Sequence, residues 1–227
     1  PASHEIYSAD APLPAVEGDV LPELWGVEFG CRLAVVYAPE DHACLWSRWT
    51  PAAQRVADSR GRPQIDRSIQ LAANVIAYAT NRELHNPLDV SPFLTTIASP
   101  GGPRGRLQIA RLRPMSQSGA SPYLLGQLPT ALDAIGIRTA GEIPSLTAAD
   151  DRLFDIPFLV LHGREPVVFS SSERMRLRAY LEQGGLLFAD ACCHSREFDQ
   201  TFRRFVTQTF DRSLQAIPRD HELYHQP

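Results

Sequence analysis

The chain contains no lysine, and all 22 of its basic residues are arginine. That absence excludes Schiff-base catalysis, a lysine general base and the lysine of a phosphate-cradling P-loop. No apolar run approaches the roughly 18 to 20 residues that a membrane-spanning helix needs, so no span is expected in this segment. Cysteine is sparse: Cys31, Cys44, Cys192 and Cys193, with no Cys-x-x-Cys spacing. That pattern argues against a structural zinc site, and no metal and no cofactor are expected. The net charge of −4 offers no basic footprint for nucleic acid or an anionic membrane.

What is present is an ordinary globular composition, 44% apolar and 21% charged over 227 residues. Such a chain is long enough to bury a proper core. Its oddest feature is a repeat. Pro1-Ala2-Ser3-His4-Glu5-Ile6-Tyr7 returns as Pro218-Arg219-Asp220-His221-Glu222-Leu223-Tyr224. Copies at opposite ends suggest a window cut from a tandem array, although a match of seven residues can also arise by chance. On the tandem reading, residues 1–85 are the C-terminal part of one unit and are expected to pack on the next. Residues 86–105, with four prolines and three glycines, are the linker. Residues 106–227 are then the N-terminal part of the following unit. No targeting segment is legible, but such a window would have lost one, so the compartment stays open.

Within this frame, Cys31-Arg32-Leu33-Ala34-Val35-Val36-Tyr37 is apolar and β-branched and predicts a buried strand, ending at a turn at Pro39-Glu40-Asp41. Trp46 and Trp49 are expected to cover one edge of the core. Asp66 is a candidate N-cap for a helix of about 15 residues, with Ile69, Ala72, Ala73, Ile76 and Ala79 on one face. Cys31 and Cys44 read either as a bridge in an oxidising compartment or as two buried thiols. Arg106–Leu112 can form a strand. Ser121-Pro122 then predicts a helix start, with Leu125, Leu128, Leu132 and Ile135 as its face and Gly136 as its stop.

The strongest signal lies between Asp155 and Ser195. Phe158–Leu161 and Leu186–Ala189 are apolar runs around a helix from about Ser171 to Gln183, capped by Ser170 and Glu173 and stopped by Gly184-Gly185. Strand, crossover helix and strand predict a parallel pair in an α/β sheet. A last helix turns Phe198, Phe202, Phe205 and Val206 inward.

These blocks resemble a bacterial family known only as a domain of unknown function, number 4159. The resemblance rests on Phe154-Asp155-Ile156-Pro157-Phe158, His162-Gly163-Arg164, Leu177 through Gly185, Leu187-Phe188-Ala189-Asp190-Ala191-Cys192-Cys193, Phe198-Asp199 and Asp220 through Tyr224. The segments Gly30–Trp46 and Asn74–Ala79 are similar to the later part of that family's domain. The family implies a flavodoxin-like or class I glutamine amidotransferase-like fold, with a mainly parallel open sheet and helices on both faces. It implies exported or membrane-anchored envelope proteins among its longer members, and no established activity.

In such sheets ligands bind beyond the carboxyl ends of the strands. Two adjacent loops qualify: His162-Gly163-Arg164-Glu165 and Asp190 through Ser195. One reading makes Cys193 a nucleophile, because a turn into a helix N-terminus lowers a thiol pKa and offers N–H groups to an oxyanion. Cys193-His194 resembles the Cys-His pair of the intracellular-protease-like branch of the amidotransferase superfamily, and His221 with Glu222 could supply the base. The elbow glycine is missing, since Ala191 and Cys192 stand where Gly-x-Cys is expected. Metal binding by Asp190, Cys192, His194 and His162 is weaker, because neighbours in extended backbone point apart. The favoured reading is a non-catalytic ligand-binding or assembly domain of a bacterial envelope protein. Its ligand would meet His162, Gly163, Arg164, Asp190 and Cys192; its small-molecule or protein partner stays unidentified. The alternative is a cysteine-dependent hydrolase or amidotransferase.

Overall fold

Seven extended segments pair into one sheet: β1 (Trp25–Phe29), β2 (Arg32–Ala38), β3 (Ile109–Leu112), β4 (Ser145–Leu146), β5 (Phe158–Gly163), β6 (Leu186–Ala191) and β7 (Gln215–Ala216). The computed structural model describes residues 22–29, 32–50, 61–80, 106–114, 125–221 and 223–224. The strand order is β4-β3-β5-β6-β2-β1-β7. From β4 to β2 all neighbours are parallel; β1 is antiparallel to both β2 and β7. The pair expected from the two apolar runs is there, in register from Phe158 opposite Leu186 to Gly163 opposite Ala191.

Side chains alternate across a strand, and this sorts the core into two layers. Val36, Ala38, Val160 and Phe188 face one side, covered by α1 (His42–Ser47), α2 (Arg62–Thr80) and α3 (Leu128–Ala134). Val35, Tyr37, Leu159, Leu161, Leu187 and Ala189 face the other, covered by α4 (Ser171–Glu182) and α5 (Arg196–Phe210). Burying each large apolar side chain contributes about 1.5–3 kcal/mol. β2 lies beside β6, and α2 packs on the same core as Val160 and Phe188, so residues before and after 86–105 share one sheet.

Helix boundaries follow from local chemistry. The Ser170 hydroxyl accepts from the Glu173 N–H at 3.2 Å, while the Glu173 carboxylate accepts from the Ser170 N–H at 2.8 Å. This reciprocal box starts α4, and Gly184, at φ +102°, follows its end. α2 differs from expectation. It starts at Arg62, so Asp66 lies inside it and pairs with Arg62 at 2.6 Å one turn back. Pro63 is tolerated because first-turn N–H groups have no partner within the helix. The expected helix start at Ser121-Pro122 lies outside the described residues. α3 begins at Leu128 with Pro129 in its first turn, and Gly136 follows it at φ +93°. Trp46 and Trp49 are both buried, the first completely. Phe198, Phe202, Phe205 and Val206 are buried as expected. Cys31, residues 1–7 and the linker lie outside the described residues. Among the described residues, no helix is long and apolar enough to cross a membrane.

Candidate functional site

Because β5, β6 and β2 are consecutive and parallel, the residues at their carboxyl ends meet. His162 and Ala38 both lie opposite Asp190 in the register. Asp190 has no exposed surface. One carboxylate oxygen accepts from the His42 N–H at 2.9 Å. The other accepts from the Ala43 N–H at 3.1 Å and meets His162 Nδ1 at 2.7 Å. With Nδ1–H donating to this carboxylate, Nε2 of His162 is left with the lone pair. That Nε2 is buried without a hydrogen-bond partner among the described residues. A histidine fixed this way can act as a base or as a metal ligand.

Asp41, just past β2, forms the second half. Its carboxylate accepts from the Cys193 N–H at 2.7 Å and from the Cys44 N–H at 3.3 Å, capping α1. Burial would raise its pKa, but hydrogen bonds from the Cys44 thiol and from the two backbone amides outweigh this and hold it below its ordinary value. Burial pushes the Cys44 thiol up to about 12, with its hydrogen bond to the Asp41 carboxylate adding to the rise. Burial raises the Cys192 thiol as well. His42, fully buried with Nδ1 2.9 Å from Ser68 Oγ, is held below the usual histidine value by burial. Donor atoms of Asp41, Cys44 and Cys192 lie within 4.8 Å of one another, as do those of Asp41, His162 and Asp190. These are the residues that could hold a metal.

The two loops named from the sequence are adjacent: the Ser195 hydroxyl donates to the Arg164 carbonyl at 2.6 Å. Gly163 is buried at the end of β5, whereas the Arg164 side chain is exposed. Cys192 is half-buried. Cys193 and His194 are exposed, with φ of 54° and 55°, so the chain turns there rather than staying extended. The Cys193 sulfur lies 3.5 Å from that of Cys192, and among the described residues no histidine nitrogen is hydrogen-bonded to either. The structure does not bring His221 to them. Its ring sits 5.5 Å from that of Tyr78, whose hydroxyl accepts from the Leu33 N–H at the start of β2. Cys193 lies past the other end of that strand, and at ~3.3 Å per residue the strand's length separates them. Glu222 lies outside the described residues.

Reading from the sequence missed Asp41, His42 and Cys44. The rule that selected His162 and Asp190, polar residues following a parallel strand, applied equally to Asp41. Pro39-Glu40-Asp41 has the composition of a plain turn, which conceals the role of the carboxylate.

Fold and cluster together define an open, mostly parallel α/β module with a polar site at the carboxyl ends of three strands. A family model described as domain of unknown function (DUF4159) matches residues 109–227, and the chain belongs to that family. The match includes His162, Asp190 and Cys192; Asp41 and Cys44 precede it. No curated protein matches the chain.

Proposed function

We propose that the chain is a non-catalytic ligand-binding or assembly module, with its ligand site at the carboxyl ends of β2, β5 and β6. The observation that carries this reading is His162. Its Nδ1 is locked on Asp190, while its buried Nε2 has no described partner and is thus available to a ligand. A place in a bacterial envelope protein, and a flavodoxin-like or amidotransferase-like ancestry, are supported by the family resemblance alone.

A second reading, a hydrolase or amidotransferase using Cys193, draws support from its left-handed backbone between β6 and α5. Strain of this kind costs about 1–3 kcal/mol and clusters at active sites. Among the described residues, no base is hydrogen-bonded to the sulfur. Iodoacetamide labelling of the native, reduced protein at neutral pH separates the two. Slow alkylation of Cys193 is expected; labelling at the rate of an activated thiolate would favour the enzyme.

The tandem origin is also a proposal. The placing of β2 beside β6 fits a tail of one unit completing the core of the next. After proteolytic cleavage engineered within 86–105, the two pieces are expected to co-elute. Separation under native conditions would count against it.

A further inference from the structure

We infer that this site binds one divalent transition-metal ion of the zinc class through Asp41, Cys44 and Cys192, with His162 Nε2 as the fourth donor. The inference rests on the ligand-binding reading above and names the ligand. Three observations carry it. First, one carboxylate oxygen of Asp41 and the sulfurs of Cys44 and Cys192 already lie within 4.8 Å of one another, at the start of α1 and on the turn after β6, which the parallel sheet brings together. Bonds of about 2.0–2.3 Å in tetrahedral geometry require donors about 3.3–3.8 Å apart. Closing these three donors on an ion therefore takes shifts of about 1 Å, within reach of side-chain rotation; His162 shares only Asp41 with them and must swing further to join.

Second, Asp41 also belongs to the group with His162, which puts a ring nitrogen of that histidine within 4.8 Å of an Asp41 oxygen. His162 is 3% exposed and its Nε2 is unpartnered among the described residues. Asp190 is committed elsewhere, to two amides and to Nδ1. Its part is the carboxylate behind a metal-binding histidine, which fixes the tautomer and raises ring basicity. Third, the donor types select the ion. Two sulfurs, an imidazole and one carboxylate suit zinc or cobalt, whereas calcium and magnesium demand oxygen ligands. As each metal–sulfur bond forms, the thiol proton passes to solvent; nothing is oxidised or reduced.

The left-handed turn has a place in this scheme. It lets the Cys193 amide hold Asp41 at 2.7 Å while Cys193 itself remains exposed. Cys193 thus positions a ligand through its backbone, and its thiol is dispensable.

Cobalt(II) is the probe, titrated into the reduced, metal-stripped full chain. One equivalent is expected to bind with thiolate-to-cobalt charge-transfer absorption and the intense visible bands of a tetrahedral ion, and zinc should displace it. Cys44→Ser and Cys192→Ser should each remove about half of the charge-transfer intensity. Asp190→Asn and His162→Gln should each weaken binding about tenfold or more. Cys193→Ser should leave the spectrum unchanged, and far-ultraviolet circular dichroism checks folding throughout. Three results would overturn the inference: no charge-transfer band in the folded wild type, a band that survives Cys44→Ser with Cys192→Ser, or a band lost in Cys193→Ser. Absent cobalt binding with slow Cys193 alkylation sinks the metal and leaves the ligand-binding reading. Fast alkylation in the metal-free protein sinks that reading whatever cobalt does.

Discussion

Asp190, near the end of β6, and Asp41, just past the neighbouring parallel strand β2, both accept from the first turn of α1, yet their surroundings differ. Asp190 is sealed, with both oxygens engaged by the fold. Asp41 is half-buried and accepts from the Cys44 amide and thiol in the first turn of α1 and from the Cys193 amide on an exposed turn. A sealed carboxylate with three donors is a structural keystone, because water cannot replace any partner lost. A half-open one keeps spare lone pairs and can change partners, which a ligand site requires. The division of labour between them is what makes this end of the sheet a candidate site rather than only a well-capped corner.

The largest expected effect breaks the sealed side. Asp190→Ala strands two helix amides and the His162 N–H, and should lower unfolding stability by about 3–5 kcal/mol in urea titrations. Asp41→Ala removes an N-cap and should cost only about 1 kcal/mol. Equal losses would erase the distinction.

Acidification comes next. His42 titrates below the usual histidine value when folded, so the unfolded chain takes up its proton first as pH falls. Stability should therefore drop on acidification starting near pH ~6.5. Asp41, with its folded pKa also depressed, adds a loss of the same sign at lower pH, as it falls from the ordinary carboxylate range through the folded value. The urea midpoint of the wild type should fall between pH 7 and 5, and His42→Gln should flatten that slope. A midpoint that rises instead contradicts the buried neutral histidine.

The smallest effect sharpens the open side. Cys193 and His194 hold φ values that favour glycine. Cys193→Gly removes a left-handed penalty of about 1–2 kcal/mol, against about 0.5–1 kcal/mol of added chain entropy. A gain near ~0.5 kcal/mol is expected in the same titration, with the Asp41 contact kept. A clear loss would mean that the Cys193 side chain does more than occupy surface.

Much of the fold was legible because its signals are local. Two apolar runs around a Ser170–Glu173 box left little freedom for β5, α4 and β6, and parallel pairing then placed His162 beside Asp190. What was hidden depends on contacts distant in sequence. Nothing near Asp41 reveals that the Cys193 amide, over a hundred residues on, closes onto it. Nor does any local pattern bring Cys44 to Cys192; spacing rules look for cysteines close together. His221 with Glu222 misled for the converse reason, since a plausible dyad in sequence gives no information about which end of the sheet it occupies. The start of α2 was misplaced because Asp66 satisfies a capping pattern, while Arg62 one turn earlier offers it an ion pair that extends the helix.

The position of β2 in the sheet also has a consequence for biosynthesis. Its antiparallel neighbour β1 leaves the ribosome just before it, but its parallel neighbour β6 arrives only with residues 186–191. At about 5–20 residues per second, the flank of β2 that will meet β6 waits on the order of ten seconds or more. During that wait a strand reading Arg32-Leu33-Ala34-Val35-Val36-Tyr37-Ala38 presents unpaired backbone to other nascent chains. Ribosome-bound chains stalled before residue 186 should accordingly be cut within β2 and α2 by protease, and chains extended past β7 should be protected there. Translation thus leaves the middle of this sheet to be assembled late, by a strand that was made early.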